Sequence, residues 1–592
     1  MKEKWMLEAK RADFNELGKK FAISPVLARL IVNRGHQSEE EIDRYLNCDL
    51  NHLYDGRKMK DMEKAVEYIT NAVKSGEIIA IGTDFDNDGI LSGYTLSCAI
   101  ERIGGSTLLY APDRVSEGYG LNRRIIDEAY AAGSRFIITC DNGIAAFDAV
   151  TYAKDKGMTV IVTDHHEVAF EEKEDLTREF ILPKADAVVN PKQEDCPYPF
   201  KGLCGAGVVF KLICLLYETF NIPMEEAYQL LEFTAIATVA DVMDLVGENR
   251  IIVKYGLSLL KNTNNLGLRA LMEECSLNVD RLSSYHIGFV IGPCFNAAGR
   301  LDTASMAFDL LKAKTEEQAK KMAKELRELN ESRKDMTIRG LEQALELIEN
   351  SSIKDDKVIL VKLEHTHESL VGIIAGRIRE QYHKPALVFV DVEDGIKGSG
   401  RSIEAYNMFE ELLKCKELLS KFGGHPMAAG LSLPAKNLEK LRKQLNENTT
   451  LIDSDLVPIV KIDVPLPIGY LNIPFIDELE RLEPFGKANV KPVFAEQHFR
   501  VRKAMILGKN QNVLKLNINN LDGDSVEALY FGNIDQFNEF VEEEFGKEEV
   551  RKMYQGQFNE IDLAFTYYPS INEYMGKQTV QIIIQNYCRI KK

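Results

Sequence analysis

Three short apolar runs, each ending on acidic or imidazole side chains, set the strongest limit on how this chain can fold. EIIAIG runs into TDFDNDG, which carries Asp84, Asp86 and Asp88. FIITC runs into Asp141-Asn142-Gly143, and MTVIV runs into TDHHE, with Asp164, His165, His166 and Glu167. Runs of this length, rich in β-branched residues, read as buried strands, and a helical pattern follows each one. Strands alternating with helices form a parallel sheet with crossover helices. Ligand sites in such sheets lie outside the carboxyl ends of the strands. The three clusters are therefore expected to converge on one edge as a divalent-metal site, the equipment of a hydrolase acting on phosphate esters.

The chain has 592 residues, 45% hydrophobic and 28% charged, which suits a soluble protein of about three or four domains. No apolar stretch is long enough to span a membrane, and the charged start MKEKWMLEAKRADF lacks the apolar centre of a secretory signal. The ten cysteines are scattered with no C-x-x-C pair, as expected of reduced thiols in a cytoplasmic protein. Cys140, beside Asp141, reads as a strand-core residue rather than a ligand. A formal net charge of -18 argues against a broad basic footprint for nucleic acid but leaves room for a local basic groove.

Residues 1–76 read as a helical segment that stops at Gly76, and 77–315 as the metal-bearing α/β domain with a helical second half. The polar run TEEQAKKMAKELRELNESRKDMTIRGLEQALELIEN, proline-free, predicts a connecting helix over 316–356. Its lysines and arginines are suited either to a nucleic-acid path or to a solvated face of paired charges, the plainer reading. A second, smaller α/β unit is expected over 357–458. Five strand-like runs over 459–592 predict a small barrel of the oligonucleotide-binding (OB) type, with a β-sandwich fragment as the alternative.

In TDFDNDG, three aspartates sit at alternate positions on a strand-to-helix turn. Helix capping accounts for one of them, and the flanks of a calcium loop are missing, so metal ligation is the expectation. Asp-Asn-Gly alone is a turn sequence and takes its value from its neighbours. Adjacent histidines on extended chain point opposite ways. One imidazole is expected to bind metal and the other to hydrogen-bond the substrate or donate a proton, with His165 taken as the ligand. Asp241, ending the apolar helix LEFTAIATVA, is unfavourable for the helix dipole, which suggests a role beyond stability. Asp244 is its competitor. Carboxylates plus imidazole without thiolates suit Mn²⁺ or Mg²⁺, and four or more carboxylates suggest two ions.

Three glycine-rich segments are candidates for holding anions: GPCFNAAGRLD with Asn296 and Arg300, KGSGRSIEAYN with Ser399, Arg401 and Ser402, and FGGHPMAAG with Gly423, Gly424 and His425. Tight turns are the plain alternative. GSGRS is expected at a helix start, where backbone N–H groups also face the anion.

TDFDNDG, CDNGI, TDHHE and ATVADVMDL resemble, in order, the four motifs of the DHH phosphoesterase superfamily, and GSGRS and FGGHPMAAG resemble its DHHA1 domain. APDRVSEGYGLN, LCGAGVVFKL, GENR, GPCFNAAGRL and EPFGKANVKPVF are similar to segments of the RecJ family of exonucleases. The resemblance implies metal ligation by Asp86, Asp88, Asp141, His165 and Asp241, with Asp84 and His166 close by. It implies phosphate contacts by Arg300, Ser399, Arg401 and His425, and an OB domain at the C-terminal end. It further implies Mn²⁺ or Mg²⁺, and single-stranded DNA degraded 5′ to 3′ to mononucleotides in repair and recombination, with a helicase and a single-strand-binding protein as candidate partners. The first motif departs from the family's usual DYDADG, and the acidic stretch FVEEEFGKEEVRK is longer than expected, which predicts a weaker grip on DNA. Tyr530, Phe531, Tyr567 and Tyr568 are candidate base-stacking residues. The alternatives are a phosphodiesterase of short oligoribonucleotides or cyclic dinucleotides, and a scaffold that has lost catalysis.

Overall fold

The structure, a computed structural model, describes residues 3–114, 117–172, 178–301 and 304–590. Contacts divide the chain into two compact units. One runs from Leu53 to Pro458. The other joins Glu3–His52 to the residues from Ile459 onward.

In the first unit, five strands form a wholly parallel sheet: β1 (Ile78–Thr83), β2 (Ser106–Tyr110), β3 (Phe136–Cys140), β4 (Thr159–Thr163) and β5 (Ala187–Val189), in the order β2-β1-β3-β4-β5. Helices α1 (Asn87–Arg102), α2 (Arg123–Ala131) and α3 (Phe147–Asp155) make the crossovers, as the apolar runs predict. The central strands are buried throughout because helices cover both faces of such a sheet. The helical part follows, with α4 (Gly205–Thr219), α5 (Leu231–Ala240) and α6 (Gly292–Leu301). A 34-residue helix, α7 (Glu316–Glu349), connects to the second sheet, as its sequence predicts.

That sheet contains β6 (Ile359–Lys362), β7 (Ala386–Val392), β8 (Gly395–Arg401), β9 (Lys421–His425) and β10 (Ala428–Leu433), in the order β9-β10-β8-β7-β6, with α8 (Val371–Tyr382) packed on it. Gly398–Arg401 of GSGRS is strand here, paired on both sides, and not a helix start. Its glycines serve sheet packing. A Cβ at Gly398 would lie 2.4 Å from the Phe389 ring, and one at Gly400 3.1 Å from Met408. FGGHPMAAG forms the β9–β10 hairpin. The GPCFNAAGR segment is helical, and a Cβ on Gly299 would sit 2.3 Å from the Phe85 carbonyl oxygen. That glycine lets α6 approach the DFDND turn.

In the second unit, β11 (Phe494–Leu507), β12 (Val513–Asn519), β13 (Ser525–Tyr530), β14 (Asp562–Tyr574) and β15 (Lys577–Arg589) close into a five-stranded barrel through the β11–β14 pairing. The acidic stretch between β13 and β14 folds as α9 (Ile534–Phe545) and α10 (Lys547–Gln555), which bury Phe537, Val541 and Met553. Helices Phe14–Phe21, Pro25–Asn33 and Glu39–Leu46 share one apolar core with this barrel through Leu27, Leu30 and Ile31. The stretch 1–76, read as one segment from sequence, is thus split at residue 52. Amphipathic helices reveal an apolar face but not which surface covers it.

Candidate metal centre

Local chemistry shapes each part of the site. Asp86 caps α1, accepting hydrogen bonds from the N–H groups of Asp88 (3.0 Å) and Gly89 (3.2 Å). Asp88, in the first turn of that helix, is fully buried. Its two oxygens accept from the Gly205 N–H (2.6 Å) and the Ala206 N–H (2.8 Å) at the start of α4. A helix N-terminus offers free N–H groups and a positive dipole end to a carboxylate. One aspartate thus ties the start of α1 to the start of α4.

Asp141 follows β3 with a left-handed backbone (φ 62°), a conformation that aspartate tolerates better than most residues. Asn142 secures the turn, donating to the carbonyls of Gly82 (3.1 Å) and Cys140 (2.9 Å). Gly143 (φ 111°) is required there, since a Cβ would meet the Thr139 hydroxyl at 2.5 Å. Cys140 is buried strand core, as read from sequence.

His165 is where these elements meet. Its Nε2 lies 3.0 Å from Asp141 Oδ1, 3.5 Å from Asp88 Oδ2 and 3.7 Å from Asp241 Oδ2. Asp241 caps the C-terminal end of α5. Neither His165 nitrogen has a hydrogen-bond partner among the described residues, nor do Asp141 Oδ1 and Asp84 Oδ1. Donor atoms this close, buried and without hydrogen bonds, point at a shared centre rather than at one another. Ligands at about 2.1 Å on adjacent octahedral positions are about 3.0 Å apart. Among the described residues two groups satisfy the geometry of a cation site: Asp88, His165 and Asp241, and Asp141, His165 and His166. The donors are oxygen and imidazole nitrogen, which fits Mn²⁺ or Mg²⁺.

Electrostatics support the same arrangement. Burial, followed by repulsion from Asp88, Asp86 and Asp241, pushes the Asp141 carboxyl well above its ordinary range. Burial and then Asp86 do the same to Asp84. Burial, then Asp88 and Asp86, raise Asp241 to about 8. Crowded carboxylates of this kind are compensated by bound cations.

Three groups take roles that the sequence reading did not assign. Asp164 does not join the cluster but orients it. Its Oδ1 accepts from the N–H groups of His165 (2.7 Å) and His166 (3.1 Å) and lies 2.8 Å from His166 Nδ1, while Oδ2 accepts from the Ile144 N–H (2.9 Å). Burial presses Asp164 upward, yet the His166 contact and these amides hold it below its usual range. Burial lowers His166, and the Asp164 contact outweighs that and lifts it to about 9. Tyr119 donates to the Asp141 carbonyl (2.6 Å) and lies 3.2 Å from the His166 ring nitrogens. Asn87, the amide of the departing first motif, donates to the Gly292 carbonyl (3.0 Å), and its N–H donates to Asn296 Oδ1 (3.2 Å). Tyr119 stood in the APDRVSEGYG segment, whose signal was similarity alone.

The anion candidates separate. Arg300, Ser399 and Arg401 share a cavity of about 230 Å³ with Arg114, Ser369 and Gly372. Arg300 links α6 to the second sheet's side of that cavity, donating from Nη1 to the Ser369 carbonyl (2.7 Å). Arg114 packs 4.6 Å above the Phe85 ring and is drawn electrostatically to Asp84 and Asp86, which connects the cavity with the acidic cluster. Ser402 is buried with its hydroxyl donated to the Tyr406 carbonyl (2.5 Å), and neither it nor Gly424 nor His425 lines that cavity. Ser402 follows the end of β8, whereas His425 pairs with Ala428, the partner of Arg401, and so lies on the same face of the sheet as Arg401, two strands away.

Comparison with known proteins agrees with this architecture. Sequence profiles match for the DHH family, N-terminal domain, at 78–238, the DHHA1 domain at 355–450 and the RecJ OB domain at 462–586. The single-stranded-DNA-specific exonuclease RecJ of Escherichia coli is 33% identical over 586 residues, covering 95% of this chain and 96% of that one. The protein of the same name from Bacillus subtilis is 35% identical over 524 residues, and the match spans 88% of this chain but only 64% of that longer relative. RecJ from Thermus thermophilus, crystallised with Mn²⁺, has the same fold, with a TM-score of 0.81 over 100% of this chain and 80% of that one at 24% identity. A structure of exonuclease RecJ bound to manganese is 28% identical with a TM-score of 0.57, covering 69% of this chain and 98% of that one. Identity of this extent, running through both sheets, the long helix and the barrel, means that the chain belongs to the RecJ family.

Proposed function

We propose that this protein is a metal-dependent exonuclease that degrades single-stranded DNA from the 5′ end to mononucleotides. The observation that carries the reading is the buried cluster of Asp88, Asp141, His165 and Asp241, with donor atoms that lack hydrogen bonds, beside a cavity lined by arginines. Asp86, Asp88, Asp141, His165 and Asp241 hold two divalent ions, Mn²⁺ or Mg²⁺, with Asp84 adjacent. When bound, such ions lower the pKa of a coordinated water and stabilise charge on the phosphate and the leaving oxygen. Asp164 fixes the orientation of His166, which donates a hydrogen bond or a proton to the substrate. Arg300, Ser399 and Arg401, with Arg114, hold a phosphate of the strand.

The barrel supplies a further grip. Tyr530 (9% exposed) and Tyr567 (0%) belong to its core and cannot stack on bases, which corrects the sequence expectation for those two. Phe531 (57%) and Phe558 (77%) are exposed, and Phe558 borders a groove of about 420 Å³ with Arg500 and Arg502. Exposed aromatics beside cations suit unpaired bases. A helicase that opens duplexes and a single-strand-binding protein that presents the strand are the partners this substrate calls for, and the cytoplasm is its compartment. Among the described residues no helix is long and apolar enough to cross a membrane.

The test is digestion of end-labelled single strands of DNA and RNA, blocked at the 5′ or the 3′ end, with Mn²⁺ present. Loss of the DNA strand unless its 5′ end is blocked is the expected result. Cleavage confined to dinucleotides would instead favour the short-oligonucleotide phosphodiesterase.

A further inference from the structure

The connecting helix α7 carries an arginine that its own packing does not use up. Asn330 is buried on α7, and its Nδ2 reaches Cys294 Sγ (3.5 Å) on α6, the helix that bears Arg300. The Asn330 Oδ1 accepts from Arg333 Nε at 3.1 Å. One amide therefore clamps the two helices together and fixes the guanidinium plane of Arg333. The remaining nitrogens of Arg333 have no carboxylate partner among the described residues, although the chain carries a net charge of -18. Three other basic residues of α7 are paired: Lys324 with Glu328, Arg327 with Glu274 and Lys334 with Glu331.

Arg333 is also close to the cavity cations. Burial, then the neighbouring guanidinium groups of Arg114 and Arg333, and more weakly Arg401, hold Arg300 below an ordinary arginine. Arg333 itself is lowered by burial. Carboxylates act on these cations at a distance, Asp84 and Asp86 on Arg114, Asp86 on Arg300 and Glu331 on Arg333, but none forms an ion pair with them among the described residues. Half-buried guanidinium groups that repel one another therefore retain donors for an anion. A polyanion with regularly spaced phosphates is such a partner, and Arg binds phosphate through its planar fork.

We propose that Arg333 forms a second phosphate subsite, which takes the phosphate next along the strand from the one held by Arg300, Ser399 and Arg401. The proposal rests on the reading of the protein as a single-strand nuclease. It assigns the inner face of the connecting helix to the strand and leaves the outer, charge-paired face to solvent.

The experiment compares the full-length protein with Arg333→Gln and Arg333→Lys. Affinity is measured in Mn²⁺ for a labelled, phosphorothioate-linked twelve-nucleotide thymidine strand that resists hydrolysis, and for a dinucleotide with one phosphate that competes with it. The expected result is about a tenfold weaker twelve-nucleotide affinity for Arg333→Gln and a salt dependence shallower by about 0.7 in the log–log slope, the contribution of one contact to single-stranded nucleic acid. The dinucleotide, which cannot fill two subsites, should lose far less, and Arg333→Lys should recover the slope with an unchanged melting temperature. Equal affinity and slope for wild type and Arg333→Gln would overturn the subsite, as would an equal loss on both ligands, which marks a distorted helix junction. Strand binding that depends on Arg333 without any cleavage of an ordinary phosphodiester strand would sustain the subsite and overturn the nuclease reading.

Discussion

His165 Nε2 lies 3.0 Å from Asp141 Oδ1, yet the two atoms share no hydrogen bond. They come from neighbouring parallel strands, β4 and β3, and meet because both residues follow the carboxyl ends of those strands. If the pair holds a cation, Mn²⁺ should raise the thermal stability of the protein, by about 2.7 kcal/mol at a hundredfold excess over its dissociation constant. Asp141→Ala should abolish that rise and lower nuclease turnover by roughly three orders of magnitude or more. Calorimetric melting with and without Mn²⁺ measures the first effect, and an equal Mn²⁺ response in the variant would count against the ligand assignment.

Gly205 offers a test that alters no ligand. A Cβ there would lie 2.6 Å from the Asp141 Cβ, while the Gly205 N–H donates to Asp88. Gly205→Ala should therefore push Asp141 and Asp88 apart, with an overpacking cost of about 1–3 kcal/mol. Manganese titration should show affinity lost by much more than the change in folding stability explains. Retention of wild-type affinity would mean that α4 yields without disturbing the cluster.

Glu232, on α5 but away from the metal cluster, gives a pH prediction. Burial lifts its carboxyl from 4.5 to about 7, against a weaker lowering by Thr263. A raised folded-state value means that the proton is held more tightly in the folded protein. Its contribution is fully present below the unfolded pKa and fades as pH rises through about 7. Glu232→Gln should remove about 3 kcal/mol of that loss, so the variant should gain on wild type in denaturant midpoint as pH rises from 5 to 8. A constant difference across that range would show that Glu232 does not titrate there.

The barrel cannot be removed alone. Its core includes Leu27, Leu30 and Ile31 from the N-terminal helices. Cutting the chain after Val490 would expose that apolar face, so the fragment 1–490 should aggregate or lose cooperative melting. The fragment 53–458, which follows the boundary between the two units, should melt cooperatively and keep cleavage of short oligomers while losing affinity for long strands. Cooperative melting of 1–490 would show that the N-terminal helices fold without the barrel.

The parallel sheet, the long helix and the five barrel strands were legible from hydrophobic period and length, because burial on two faces writes continuous apolar runs and a solvated helix writes polar ones. That Asp88, Asp141 and His165 gather was legible because strand ends in a parallel sheet share one edge, whereas Asp241, at the end of helix α5, reaches His165 through tertiary packing. The glycine-rich segments misled on local structure. A glycine that admits the Phe389 ring and one that admits a phosphate look alike in sequence, and only the strand pairing of β8 and the helical state of α6 distinguish them.

What the chain determined by itself was therefore local: which segments become strands and helices, and which donor types gather at the strand ends. Tertiary packing decided what lies far apart in sequence. It placed the N–H groups of Gly205 and Ala206 on Asp88, set Arg114 and Arg300 beside Ser399 and Arg401, and joined the first fifty residues to the C-terminal barrel. The physical reason is that local backbone preference and periodicity act over a few residues. The partners of a buried charge or an apolar face are set by whichever distant surfaces the close-packed chain brings against them.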